Sequence, residues 1–399
     1  MNFKDIINRA VSLIQLGSRE QALNSLKSWI ARDYTLYVTD GNAYNECLES
    51  LYEIDKLVAE RFSRKTVHDF LHKRLKDIKV SGESFDQSME IFYKEFHNVK
   101  PNDITVTAPV SGVRIDGKGR LFGLSVFNFG YLEDLDFPIF NEKGMYISIL
   151  LGNVYDKNMA TQRAENAFKN FAKLIVFISG KLDRSILIET GLPLRPSLSH
   201  EQMYVSTSSY QMSDKNGPLD MANISNRYLE KIPVNNDFFS KNADFKELWG
   251  LYHRKHKGEK LNDLESRLLN SAIALGESAM TFDARNSIIY TCIALEILFS
   301  FDSGSLFQKS IGEKLSEIFS FIVANDKDSR LMVGKLVKKV YAMRSAIVHG
   351  GDKDLSSENL IINSLMRRAI KEFLHGERFN GYKNISQVYD SLKEAQNSY

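Results

Sequence analysis

The chain has 399 residues, is 43% hydrophobic and 26% charged, and carries a formal net charge of +2. That is the profile of an ordinary globular protein of two or three domains with ample material for cores. It excludes a chain drawn to nucleic acid by its overall field, so any basic surface must be local. The longest apolar runs, near 147–151 and 174–178, fall far short of a membrane span. Asp5 and Arg9 stand where a signal peptide needs an apolar core. Cys47 and Cys292 form no metal-ligand spacing and read as buried thiols of a reducing compartment. The expected location is cytoplasmic, with no membrane partner.

Residues 1–100 read as a helical region. Phe3, Ile6, Ile7, Ala10, Val11 and Ile14 trace one helix face, which Gly17 stops. Ser18 and Gln21 form a capping box for a second helix, with Ala22, Leu23, Leu26 and Ile30 facing inward. Longer helical patterns follow at 42–62, 64–78 and 84–97. His68 and His72 stand four apart on one of them, a spacing that can bind zinc. No third ligand is evident nearby, and a surface or packing role is the ordinary reading.

Residues 101–240 change character and predict a small α+β module, a candidate sensor. Strands are expected at 104–110, 121–129, 145–154, 185–190 and 202–209, with a helix at 158–179. Asp116-Gly117-Lys118-Gly119 reads as the turn between the first two strands. It is not a phosphate-binding loop, because no glycine-rich run leads from a strand into a helix opened by Lys-Ser or Lys-Thr.

Residues 241–399 return to helix, at 243–256, 260–281, 284–301, 305–323, 329–349 and 356–375, with a last short helix near 385–396. Short connections predict a helical bundle with a C-terminal tail. The expected class is therefore α+β overall. It comprises an N-terminal helical region, a central α+β module and an all-α C-terminal bundle. His253-Arg254-Lys255-His256-Lys257 is a basic cluster, read as the solvated end of a helix that could secondarily touch phosphates.

The most specific stretch is Tyr341-Ala-Met-Arg-Ser-Ala-Ile-Val-His-Gly-Gly351. Val333, Leu336, Val337, Val340, Tyr341, Ile347 and Val348 recur at three- and four-residue steps, so Arg344 falls on or beside an apolar stripe. A charge there needs a partner. Gly350-Gly351 reads as a helix C-cap, which puts His349 in the last turn. Arg can neutralise a pentacoordinate phosphate and His can move protons near neutral pH. Taken from spacing alone, a salt-bridged arginine and a capping histidine account for the same residues. Glu296 interrupts a helix that is apolar on nearly every side, so its carboxylate is expected to be buried and paired, with Arg344 the best candidate. Lys335, Lys338 and Lys339 share a face of the motif helix. They read either as a solvated face or as a phosphate track toward the site.

Arg344-Ser-Ala-Ile-Val-His349 fits the Arg-(four to six residues)-His pattern of HEPN ribonucleases. Tyr341–Gly350 resembles the core motif of the ApeA-like HEPN family of bacterial antiphage proteins, and Ala294-Leu-Glu-Ile-Leu-Phe299 is similar to an earlier helix of that family. The resemblance covers roughly residues 260–376. It implies a metal-independent endoribonuclease, without cofactor, whose two Arg-His motifs face each other across a homodimer. On that reading Arg344 and His349 are catalytic, and Glu296, Ser345 and Tyr341 support them. Lys335, Lys338 and Lys339 contact RNA (tRNA or mRNA), and the upstream regions hold or sense a phage-derived trigger. The alternative is a non-catalytic HEPN dimerisation or RNA-binding module of a larger assembly.

Overall fold

The computed structural model describes residues 3–82, 94–115, 117–128, 144–183, 185–191, 202–206, 209–214, 217–223, 226–301, 310–351 and 357–397. Helices dominate and the strands form small sheets, so the class is α+β with many helices. The chain divides into two compact units, one of residues 1–106 with 150–164, the other of 107–149 with 165–399.

The first unit opens with α1 (Phe3–Ser12), β1 (Ile14–Leu16), α2 (Arg19–Leu23), β2 (Ser28–Ile30) and β3 (Thr35–Val38). It continues with α3 (Gly41–Glu53), α4 (Lys56–Arg61) and α5 (Arg64–Ser81). The expected face of α1 is present: Ile6, Ile7 and Ala10 are buried, against Leu48, Leu51 and Leu71 among others. The purely helical reading of residues 1–100 is corrected, however. β1 and β2 flank β3 in a three-stranded antiparallel sheet, with Ile14 opposite Val38 and Trp29 opposite Leu36. Ile14 is buried as a strand residue. Pairing with β3 satisfies its backbone and overrides its fit to a helix face. The Ser18–Gln21 capping box forms as expected, but α2 lasts five residues. Leu23 and Leu26 are about three-quarters exposed, not inward. Residues 83–93 lie outside the described residues, so the helix expected at 84–97 is seen only at 94–97.

The second unit holds residues 107–110 of β4 (Asn102–Val110), then β5 (Val113–Arg114), the hairpin β6 (Lys118–Leu121) and β7 (Leu124–Asn128), and residues 145–149 of β8 (Met145–Val154). The sheet order is β4-β8-β7-β6, and β6, β7 and β8 run antiparallel. The hairpin turns at Phe122-Gly123 rather than at the expected Gly117-Lys118-Gly119, and Asp116 lies outside the described residues. Lys118 and Gly119 belong to β6, and a Cβ at Gly119 would stand 2.3 Å from the Phe239 ring. A glycine can therefore mark close packing inside a strand as well as a turn. The strand expected at 185–190 is irregular chain with one bridge, Thr190 to Val110. Of the run expected at 202–209, residues 202–206 form β9 (Gln202–Ser206), 207–208 lie outside the described residues, and Ser209 opens β10 (Ser209–Asp214); β11 (Gly217–Asn223), β12 (Asn226–Glu230) and β13 (Ile232–Pro233) follow.

The helices of this unit are the C-terminal part of α6 (Lys157–Ser179), then α7 (Asn236–Lys241), α8 (Ala243–His256), α9 (Asp263–Met280) and α10 (Ala284–Phe299). They end with α11 (Ile311–Val323), α12 (Lys327–Val348), α13 (Glu358–His375) and α14 (Ile385–Asn397). Their starts are written locally: Asn262 with Glu265, and Ser310 with Glu313, form capping boxes, and Asp326 accepts the Ser329 N–H. α9 packs along α10, and α11 along α12. Gly276 of α9 lets the backbones meet, because a Cβ there would lie 2.0 Å from the Lys173 carbonyl of α6. Between α9 and α10, the buried hydroxyls of Ser278, Ser287 and Thr291 bond one another. Arg367 of α13 is 6% exposed and donates to the last carbonyls of α6, Val176 at 3.2 Å and Phe177. Burial lowers its pKa to about 10, and the negative end of α6 supplies the countercharge.

Candidate functional site

α10 and α12 bring the candidate residues together. Val333, Val337, Val340 and Met343 bury one stripe of α12, and Cys292 of α10 lies 4.0 Å from the Val340 carbonyl. Arg344 sits at the edge of that stripe. Its guanidinium reaches Glu296 of α10 at 3.8 Å, with the two side chains 35% and 30% exposed. The expected pairing is thus present, while the expected full burial of Glu296 is corrected: both groups sit at a half-open rim. Glu296 has a closer partner in Tyr341, whose hydroxyl donates to its Oε1. The Tyr341 ring lies over Gly312 at the start of α11, 3.6 Å from where a Cβ would stand, and 6.0 Å from the Arg344 guanidinium carbon.

The electrostatics of the cluster follow from this geometry. Burial first, and the adjacent Glu296 second, push the Tyr341 hydroxyl well above its ordinary pKa. It therefore remains a proton donor to the carboxylate at any physiological pH. Burial first and Glu296 second also push the Cys292 thiol up to about 12, which makes it a packing group rather than a nucleophile. Arg344 Nε is buried and has no hydrogen-bond acceptor among the described residues. One side of the guanidinium is therefore anchored while a donor remains to be satisfied, a costly arrangement unless an acceptor is supplied.

His349 is the C-cap of α12 and not, as expected, part of its last turn. The glycines act as anticipated. Gly350 adopts φ 73°, its N–H bonds the Ile347 carbonyl at 3.3 Å, and the Gly351 N–H bonds Ala346 at 2.8 Å. This double closure turns the chain away and leaves the His349 side chain exposed. Ser345 is exposed too. Its carbonyl accepts the His349 N–H at 3.1 Å. Tyr341 is engaged by Glu296, so it does not orient His349.

The lysines divide into two groups. Lys335 and Lys338, with Ser316, Ser320 and Arg330, line a groove of about 760 Å³ between α11 and α12, which Glu317 and Asp326 also border. Lys339 is paired with Glu358 of α13.

No family model matches this chain, and no curated protein or solved structure matches it either.

The zinc-like spacing of His68 and His72 has a packing explanation. His72 Nδ1 lies 3.1 Å from the Tyr44 hydroxyl and its ring stacks on Tyr44, while His68 leans toward Glu49 at 3.7 Å. Among the described residues no group of three His, Cys, Asp or Glu side chains could hold a metal ion. Sequence reasoning foresaw the Glu296–Arg344 pair but missed the link from Tyr341 to Glu296. The signal was there: Tyr341 precedes Arg344 by three residues, one helical turn, and so faces the same neighbour.

Proposed function

We propose that the chain is an HEPN-type endoribonuclease that works as a homodimer and needs no metal. One observation carries the reading: Arg344, anchored by Glu296 yet holding an unsatisfied buried Nε, lies on the helix that ends at an exposed His349. Five helical steps of 100° set the two residues about 140° apart around the axis. A single copy therefore does not point them at one atom, and a second copy would supply the complementary residue. In the composite site, one His349 takes the proton of an RNA 2′-OH. The 2′-oxygen bonds to the adjacent phosphorus, and the P–O5′ bond breaks. The partner's His349 protonates the leaving 5′-oxygen. Arg344 neutralises the charge gathered on the phosphoryl oxygens. The products are a 2′,3′-cyclic phosphate and a 5′-OH. Lys335 and Lys338 would carry neighbouring phosphates.

The resemblance of residues 260–376 extends this to antiphage defence in the cytoplasm. A phage-derived trigger would act through the upstream regions, and tRNA or mRNA would be the target. The test is incubation of the full chain with total cellular RNA in EDTA, beside His349→Ala and Arg344→Ala. Cleavage is expected only in the parent, with losses of roughly 10²-fold or more in each variant. An oligonucleotide carrying 2′-deoxy at the scissile nucleotide is expected to resist. Efficient cutting there, or full activity of His349→Ala, sinks the mechanism. A chain that binds RNA and never cuts it points to the other reading, a non-catalytic HEPN module, which the pairing of Arg344 with Glu296 also suits.

A further inference from the structure

The two-residue turn of the β6–β7 hairpin has both central residues at positive φ, Phe122 at 45° and Gly123 at 79°. That conformation suits glycine, asparagine and aspartate; a bulky aromatic in it is an outlier. Among the described residues the other non-glycine position with positive φ is an asparagine, Asn153. Strain kept at one site invites a functional reading.

The turn holds Phe122 against one face of α8. Its ring stacks on His253, with centroids 5.4 Å apart and planes 18° from parallel. The ring edge lies 3.4 Å from where a Cβ at Gly250 would stand. Phe122 nonetheless remains 46% exposed. Burial first, and Lys257 second, depress the His253 pKa, so at neutral pH the stack is two uncharged rings. Lys246, Gly250, His253 and Lys257 recur at four-, three- and four-residue steps, which places exposed lysines on both sides of the stack. Two acids adjoin. Glu247 is exposed beside Lys246, and Glu259 is bound by Arg254 at 3.1 Å.

We propose that Phe122, backed by His253 and flanked by Lys246 and Lys257, is a stacking platform for an unpaired base of single-stranded RNA, with the lysines on the adjoining phosphates. An exposed ring between cations is the arrangement by which proteins hold unpaired nucleotides without reading sequence. The platform is separate in sequence from the α12 motif and would add a second hold on the polymer. It rests on the proposed function only for the choice of RNA as that polymer.

The test uses the full chain and a single-stranded 2′-O-methyl oligonucleotide of about twelve nucleotides. This probe cannot be cut by 2′-OH attack, and it carries 2-aminopurine. Binding is expected to quench the fluorophore by stacking. Phe122→Asn, which suits the turn and should fold at least as well, is expected to abolish the quench and weaken binding about five- to a hundredfold. Lys246→Glu with Lys257→Glu is expected to weaken binding and flatten its salt dependence by roughly one contact per lysine. Unchanged affinity and quench in Phe122→Asn would overturn the platform, as would absence of binding or a preference for duplex RNA. Cleavage of unmodified RNA in EDTA is followed in parallel. A chain that binds through Phe122 and never cuts fails only as a nuclease, whereas one that cuts while Phe122→Asn binds as the parent does loses only the platform.

Discussion

Removing the Glu296 carboxylate is the sharpest probe of the motif helix. Glu296→Ala leaves the Tyr341 hydroxyl without its acceptor and Arg344 without its countercharge. A hydrogen bond to a charged group contributes about 1.5–3 kcal/mol. The ion pair adds little, no more than about 1 kcal/mol, because it is 3.8 Å long and both side chains are about a third exposed. The expected loss is therefore about 2–3 kcal/mol, below the roughly 3–5 kcal/mol of a fully buried pair. In a domain of this size each kcal/mol lowers Tm by about 2–4 °C, so the melt should fall by roughly 4–12 °C. Glu296→Gln keeps an acceptor for Tyr341 and should fall by about half as much. His349→Ala removes an exposed side chain and should stay within about 0.5 kcal/mol of the parent. The assay is a thermal melt followed by circular dichroism, with urea titration to check the ranking. If His349→Ala proves as costly as Glu296→Ala, Glu296 does not hold Tyr341 and Arg344 as described.

Sedimentation at micromolar concentration is expected to show a dimer through residues 260–376; a monomer that still cuts RNA would refute the composite site. The first unit should lose stability as pH falls from about 6.5 to about 4. Burial, then Lys27 and His68, hold His72 down to about 4 when folded, so the unfolded chain binds more protons across that window. Full conversion of that shift would give about 3 kcal/mol; solvent screening of the partly exposed ring reduces the expected loss to roughly 1–2 kcal/mol, and His72→Phe should flatten the slope measured by denaturant titration. Gly276→Val should disrupt the crossing of α9 with α6, where even a Cβ would stand 2.0 Å from a carbonyl oxygen; a melt unchanged from the parent would contradict that contact.

The C-terminal helices were legible because their signals are local. α8 runs over Ala243–His256 as read from periodicity, α10 begins at Ala284, and Gly350-Gly351 closes α12. Caps and apolar stripes act within one or two turns, and the bundle asks nothing that contradicts them. The same holds for Arg344: an arginine beside an apolar stripe and a glutamate in an apolar helix announce that each needs a partner. What the chain alone left open was decided by contacts distant in sequence. Ile14 is a strand residue because β3, twenty-odd residues on, offers a ladder. Gly119 lies in a strand because Phe239 presses on it, and the turn falls instead at Phe122, a residue no turn rule selects. The degree of burial of Glu296, its hold on Tyr341 and the exposure of His349 depend on how α10, α11 and α12 pack. A single sequence states which side chains require company; the company itself, and how much water reaches it, is set by the tertiary structure.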